Sequence, residues 1–317
     1  MEELKSVNRR DFLKNLSVIG GAVALSQLPQ FAQAKSAKEI KITILHTNDV
    51  HSRIEPFPMD GSKLQGLGGV ARRSTLIHQI REKEKNVLLF DAGDIFQGTP
   101  YFNLFDGEVE LTIMSKLKYD AGTFGNHEFD NGITGILKHF DKAKFPFLIA
   151  NYDFSQTALA GKTKEYEIFE RDGIKIGVFG LGVNIEGLVD KKNYVGMQYL
   201  DPVATTNRIV PLLKQKHQCD IILCLSHLGY SYKEDKVSDL KLAAMTQDID
   251  LIIGGHTHTY LEKPTEVKNA AGKITLVNQA ATGGAILGRI DFIFNPITKE
   301  KKVAYNNYVL NKDALKV

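Results

Sequence analysis

Five apolar runs of strand length in this chain each end in a short loop crowded with His, Asp or Asn. Ile40–Leu45 leads into HTNDVH, with Asp49 and His51, and Asn86–Phe90 leads into DAGD, with Asp91 and Asp94. Ala121–Phe124 opens into GNHEFD, Asp220–Leu225 into SHLG with His227, and Asp250–Ile253 into GGHTH with His256 and His258. Runs this uniformly apolar suit strands covered on both faces. Between many of them the apolar spacing is helical: Val70–Arg81, Val109–Leu117, Ile133–Phe140, and a segment from Pro202 to Lys216 with proline in its first turn. Strands alternating with helices predict an α/β fold with buried, largely parallel strands. Phe147–Ile149 reads as a further strand. Tyr166–Glu170 and Ile174–Val178, joined around Asp172-Gly173, read as an antiparallel hairpin. Ile274–Gln279, Ile286–Phe294 and Val303–Leu310 follow as strands without helices, so the sheets are mixed. No linker rich in Pro, Gly or Ser interrupts residues 35–317, which read as one domain.

In open α/β sheets, ligands gather outside the carboxyl ends of the strands. If the five strands are parallel neighbours, their loops converge on one edge of the sheet. His46, His78, His139 and His217 carry no second signal and read as ordinary core or surface histidines. The loop residues taken together point to metal. Imidazole, carboxylate and one amide suit Zn, Mn or Fe, and the lack of thiolate argues against a structural zinc knot. Asp49, His51, Asp94, Asn126, His227, His256 and His258 are seven candidates, too many for one ion. A carboxylate can bridge two ions, and Asp94 is the natural bridge. Two metals can clamp the attacking and leaving oxygens of a phosphoryl transfer and generate hydroxide near neutral pH.

A net charge of +3 gives no basic surface for a nucleic-acid polymer. At the N-terminus, Asn8-Arg9-Arg10-Asp11-Phe12-Leu13-Lys14, the apolar stretch from Leu16 to Leu25 and Ala32-Gln33-Ala34 resemble a twin-arginine export signal. That resemblance implies removal of residues 1–34, passage of the folded chain, and a periplasmic or extracellular location. The apolar stretch is too short to remain as a membrane span, which needs about 20 residues. The two cysteines, Cys219 and Cys224, would lie on opposite faces of one strand about 16 Å apart, too far for a disulfide, and read as buried thiols.

Asp49-Val50-His51, Gly93-Asp94, Gly125-Asn126-His127-Glu128, His227 and Gly255-His256-Thr257-His258 resemble, in order and spacing, the motifs of the calcineurin-like metallophosphoesterases. The longer blocks ILHTNDVH, GGVARRSTLI, GDIFQGTP, GNHEFDNG and IDLIIGGHTH resemble the catalytic domain of the bacterial 5′-nucleotidase family. The resemblance implies a four-layer αββα sandwich, two mixed β-sheets flanked by helices. It implies one metal on Asp49, His51, Asp94 and His258, and a second on Asp94, Asn126, His227 and His256. His127 would face the substrate and assist the leaving oxygen, with Asp130 orienting its ring. Glu128 receives no role and reads as a solvated or helix-capping carboxylate. The family's second domain, which brings stacking rings and phosphate-gripping arginines, has no counterpart in this sequence, and a separate chain could supply it. Phe96, Gln97, Tyr101 and Phe102 are candidate pocket residues, with core packing as their alternative. The implied activity is hydrolysis of 5′-nucleotides by in-line attack of a metal-bridging hydroxide. Alternatives are a phosphodiesterase, cyclic-nucleotide or nucleotide-sugar hydrolase, a thiosulfonate-type hydrolase, and a non-catalytic scaffold.

Overall fold

The computed structural model describes residues 39–298 and 300–311. The twin-arginine segment lies outside the described residues. The chain opens with β1 (Ile40–Thr47), α1 (Val70–Lys83) and β2 (Val87–Asp91), then α2 (Pro100–Phe105), α3 (Glu108–Lys116), β3 (Ala121–Gly122) and α4 (Gly132–Lys138). A short pair, β4 (Tyr152–Asp153) and β7 (Gln198–Tyr199), brackets the hairpin β5 (Tyr166–Arg171) and β6 (Ile174–Leu181). Then come α5 (Pro202–Pro211), β8 (Ile221–Ser226), α6 (Asp239–Met245) and β9 (Leu251–Gly254). The chain closes through β10 (Thr265–Lys268), β11 (Ile274–Asn278), β12 (Ile286–Phe294), β13 (Lys301–Tyr305) and β14 (Tyr308–Val309).

These strands form two large mixed sheets. One has the order β13-β12-β1-β2-β3, with β14 also on β12; β1, β2 and β3 are parallel, and β12 runs antiparallel to β1. The other has the order β10-β11-β9-β8-β6-β5, with β6, β8, β9 and β11 parallel. Alternation along each strand builds the layers. Ile42, Ile44, Leu88 and Phe90 of the first sheet meet Val178, Leu223, Leu225 and Ile253 of the second in one core between the sheets. Leu45 and Leu89 face the other way, against Leu76, Ile77 and Ile80 of α1 and Met114 of α3. Ile222 and Ile252 face away from the first sheet, against Ile209 of α5 and Leu242 of α6. Helices, sheet, sheet, helices: the αββα sandwich is present.

Five details differ from the expectation. Ala121–Phe124 shortens to two paired residues, and Phe147–Ile149 makes only isolated bridges, Gly122 to Phe147 and Leu148 to Lys164. Val303–Leu310 splits into β13 and β14, both paired with β12. The five polar loops do not share one sheet: three leave β1, β2 and β3, and two leave β8 and β9 of the facing sheet. Strands apolar on both faces need cover on both, and stacking two sheets supplies it. Cys219 and Cys224 are both free and buried, as expected, yet they sit in the same outer core rather than on opposite faces, because Cys219 precedes β8. In the β5–β6 hairpin, Asp172 and Gly173 both take positive φ, 50° and 80°, the turn geometry that matches strand twist. Among the described residues no helix is long and apolar enough to cross a membrane.

Candidate metal centre

The polar loops hold unusual backbone. Asp49, His51, Asp94, His256 and His258 all lie in the left-handed region, at φ 49°, 51°, 54°, 71° and 52°. Asp and His tolerate that region better than most residues, but each such position costs of order 1 kcal/mol or more. Hydrogen bonds between loops hold them there. Asp49 N donates to Gly93 O at 2.9 Å, His51 N to Asp94 O at 3.0 Å, and Gly283 N to Asp49 O at 2.7 Å. His256 N donates to the Asp49 carboxylate at 2.9 Å, which ties the last loop to the first.

Two overlapping groups of donor atoms result. His51 Nε2 stands 4.0 Å from Asp49 Oδ1 and 3.0 Å from His258 Nε2, and His258 Nε2 lies 3.4 Å from Asp49 Oδ1. On the other side, His227 Nε2 lies 3.0 Å from Asp94 Oδ2, and Asn126 Oδ1 lies 2.9 Å from His256 Nδ1. Asp94 Oδ2 is also 3.9 Å from His51 Nε2, so this carboxylate reaches both groups. All seven candidate ligands therefore converge, from two sheets, on one place.

The donor set fits a cation. His227 Nδ1 is bound by Ala92 O at 2.6 Å, which turns Nε2 toward the carboxylates. Nε2 is buried without a hydrogen bond, since Asp94 is near it but not in bonding geometry. Burial pulls the His227 imidazole down, yet the Asp94 and Asp49 carboxylates overcome it and push it up to about 10. Burial pushes the Asp94 carboxyl up, and His227 and His51 outweigh it, holding it below the usual carboxylate range. Positive charge is what this cluster demands. His256 is brought down to about 4 by burial and by His227, leaving a neutral imidazole with a lone pair to offer. A Cβ on Gly125 would come within 2.1 Å of Asp94 Oδ1 and 2.6 Å of His227 Nε2, so the cradle has room only for glycine.

His127 lies beside the first group, its ring centroid 5.2 Å from that of His51. Its Nδ1 is 2.8 Å from Asp130 Oδ2, and that hydrogen bond, working against burial, holds His127 above the ordinary histidine range. Asn193 Nδ2 donates to Asp130 O at 2.8 Å and steadies the loop. Phe129 is wholly buried against Phe124, Tyr152 and Phe154 and anchors it from below.

Residues 42–260 match the family model described as calcineurin-like phosphoesterase. The chain belongs to the calcineurin-like phosphoesterases. It is 34% identical to a snake venom 5′-nucleotidase of Crotalus adamanteus, over 89% of this chain and 50% of that protein. It is 33% identical to a 5′-nucleotidase of Vibrio cholerae, over 96% of this chain and 59% of that one. Among solved structures, a 5′-nucleotidase precursor from Thermus thermophilus superposes with a TM-score of 0.78 at 33% identity, covering 87% of this chain and 55% of that one. The phosphoesterase chain thus spans little more than half the length of these relatives.

Several residues of this phosphoesterase do work that the sequence did not reveal. Glu128 is neither solvated nor a helix cap. It is buried, and its carboxylate accepts the N–H groups of Asp94 (3.0 Å), Ile95 (2.7 Å), Phe96 (3.2 Å) and Gly125. Burial, with the Asp94 charge beside it, pushes Glu128 up to about 7. Asn48 Nδ2 donates to Asp49 Oδ2 and to Ala281 O, at 2.5 and 2.7 Å, while its Oδ1 accepts Ala280 N at 2.8 Å. Gln279 Nε2 donates to Gly255 O at 2.6 Å and so aims the GGHTH loop. For Asn48 and Glu128 the signal is an amide or carboxylate wedged inside a ligand motif; Gln279 lies outside those motifs and carries no such signal.

Phe96 and Phe102 turn out to be core. Both are buried, stacked on each other with centroids 5.4 Å apart, and present no free face to a ligand. Tyr101 is half-buried on α2. Gln97, in contrast, lines a cleft of about 340 Å³ with His51, Arg53, Phe57, His127 and His258. A second cavity, of about 350 Å³, opens on the His256 side between Tyr199, Leu228 and Tyr232. His46 is a buried core histidine bonded to Asn278 Nδ2 at 2.9 Å.

Proposed function

We propose that this chain is the catalytic unit of a two-metal phosphomonoesterase acting on 5′-nucleotides. The observation that carries the reading is the pair of donor groups joined by Asp94, with the His127–Asp130 pair alongside. Asp49, His51, Asp94 and His258 would hold one divalent ion, and Asp94, Asn126, His227 and His256 the other. Bound there, the ions supply Lewis-acid charge to the phosphoryl oxygens and make water acidic enough to attack near neutral pH. The chain's own part is orientation and proton handling. Ala92 fixes the His227 tautomer, Asn48 and Gln279 aim the outer loops, and Glu128 joins the two central ones. With Nδ1 held by Asp130, the other nitrogen of His127 is left to protonate the departing nucleoside oxygen. The 5′-nucleotidase relatives support the substrate class. Residues 1–34 act, on this reading, as a twin-arginine signal that exports the folded, metal-loaded chain.

The test is phosphate release from AMP and from p-nitrophenyl phosphate, before and after chelation and with Mn²⁺ or Zn²⁺ restored. Bis-p-nitrophenyl phosphate and a nucleoside diphosphate sugar serve as diester and anhydride comparisons. Hydrolysis of AMP that vanishes on metal removal and returns with metal is expected. Activity that survives complete stripping overturns the mechanism, and diester turnover exceeding that of AMP overturns the substrate assignment.

A further inference from the structure

The cleft beside His127 holds one cationic side chain that the ligand groups leave unused. Arg53 stands two residues after His51 and lines the cleft with His51, His127, His258 and Gln97. Its guanidinium carbon lies 4.0 Å over the Phe57 ring. Its backbone N–H donates to Val50 O at 3.1 Å, but among the described residues its guanidinium makes no ion pair or hydrogen bond. A half-buried guanidinium with no carboxylate partner has its donor fork available to an anion.

The platform under Arg53 is built and stiff. Phe57 N donates to Leu67 O at 2.8 Å, and its carbonyl accepts Gly66 N at 3.0 Å. The ring packs on a satellite core of Ala280, Ala281 and Ala285. A Cβ on Gly283 would come within 2.3 Å of Phe57 Cζ and 3.2 Å of Arg53 Cδ, so the backbone there presses directly on the stack. The same Gly283 donates its N–H to Asp49 O at 2.7 Å. Arg53 is thereby referenced to the metal-ligand loop through two short steps. A stacked guanidinium keeps its charge and offers a planar fork that matches two phosphoryl oxygens.

We propose that Arg53 is a phosphate-binding residue, which grips non-reacting phosphoryl oxygens of the substrate in the cleft beside His127. The inference rests on the phosphoesterase reading of the site. It supplies, from within this chain, a phosphate grip of the kind that the family resemblance places on a further domain. The oxygens can belong to the transferred phosphoryl group or to a second phosphate on the leaving side.

The experiment uses the metal-loaded full chain as wild type, Arg53→Met and Arg53→Lys. Methionine keeps an apolar stem against Phe57 and removes the charge. Steady-state kinetics on AMP and ADP are combined with calorimetric titration of inorganic phosphate. Arg53→Met is expected to raise KM and weaken phosphate binding by about 10–100-fold, the loss of a charge-assisted hydrogen-bonded pair, with a much smaller change in kcat. Arg53→Lys recovers part of the loss. Equal effects on AMP and ADP assign the grip to the transferred group, and a larger effect on ADP assigns it to the second phosphate. Unchanged KM and unchanged phosphate affinity overturn the proposal, as does a loss that tracks falling metal content or melting temperature. Wild-type protein that hydrolyses no ester would fail the functional reading instead, and the phosphate titration would still decide the role of Arg53.

Discussion

The carboxylate of Glu128 accepts the backbone N–H of Asp94 at 3.0 Å, across 34 residues of sequence, and thereby fastens the loop after β3 to the loop after β2. It also accepts N–H groups from Ile95 and Phe96, and from Gly125 in its own loop. Replacing Glu128 with Ala strands these buried donors. The expected cost is about 2–4 kcal/mol of stability, read as a lower denaturant midpoint with an unchanged m-value. Glu128→Gln keeps the shape but turns one acceptor into a donor, and its cost should be smaller and still positive.

His127→Ala should lower kcat by roughly 10²–10⁴ while metal content, measured by plasma mass spectrometry, stays at the wild-type level. Unchanged turnover would remove His127 from the reaction.

Asp130 holds the His127 proton, since its hydrogen bond is the main influence raising that imidazole. In Asp130→Ala the proton should leave at lower pH. If His127 acts as an acid, the alkaline limb of the kcat profile moves toward lower pH, whereas a purely structural Asp130 would leave the limb in place.

Gly125→Ala sets a methyl group where Asp94 Oδ1 and His227 Nε2 stand, at 2.1 and 2.6 Å. Metal occupancy and activity should fall together, and circular dichroism should show the fold intact. Asp94→Ala should also lose metal, from both groups at once.

His46 is buried and neutral, and burial brings it down to about 3. In the unfolded chain it takes up a proton near pH 6.5. The stability contributed by the neutral ring is therefore full above about pH 6.5 and is lost as pH falls toward 3, at up to about 1.4 kcal/mol per pH unit. His46→Gln can still accept from Asn278 and cannot titrate. Its stability should fall less steeply than the wild type between pH 6 and 4, measured by urea unfolding.

Much of this molecule was legible in the residues alone. Strand and helix periods mark β1, β2, β6, β8, β9, α1 and α3, because burial on both faces of a strand or one face of a helix is written in local spacing. The residues that converge were legible too, since imidazole, carboxylate and amide crowded at strand exits suit a cation better than they suit packing. What the tertiary structure decided is which groups meet. Asp49 and His258 approach to 3.4 Å only because two sheets stack and bring their carboxyl ends together. Glu128 becomes a buried anchor because four N–H groups of folded loops surround it. Phe96 and Phe102 go to the core because they stack on each other, while Arg53 faces the cleft because Phe57 and Gly283 hold it there. Residue type sets the chemistry a side chain can perform, and long-range packing sets what it performs it on.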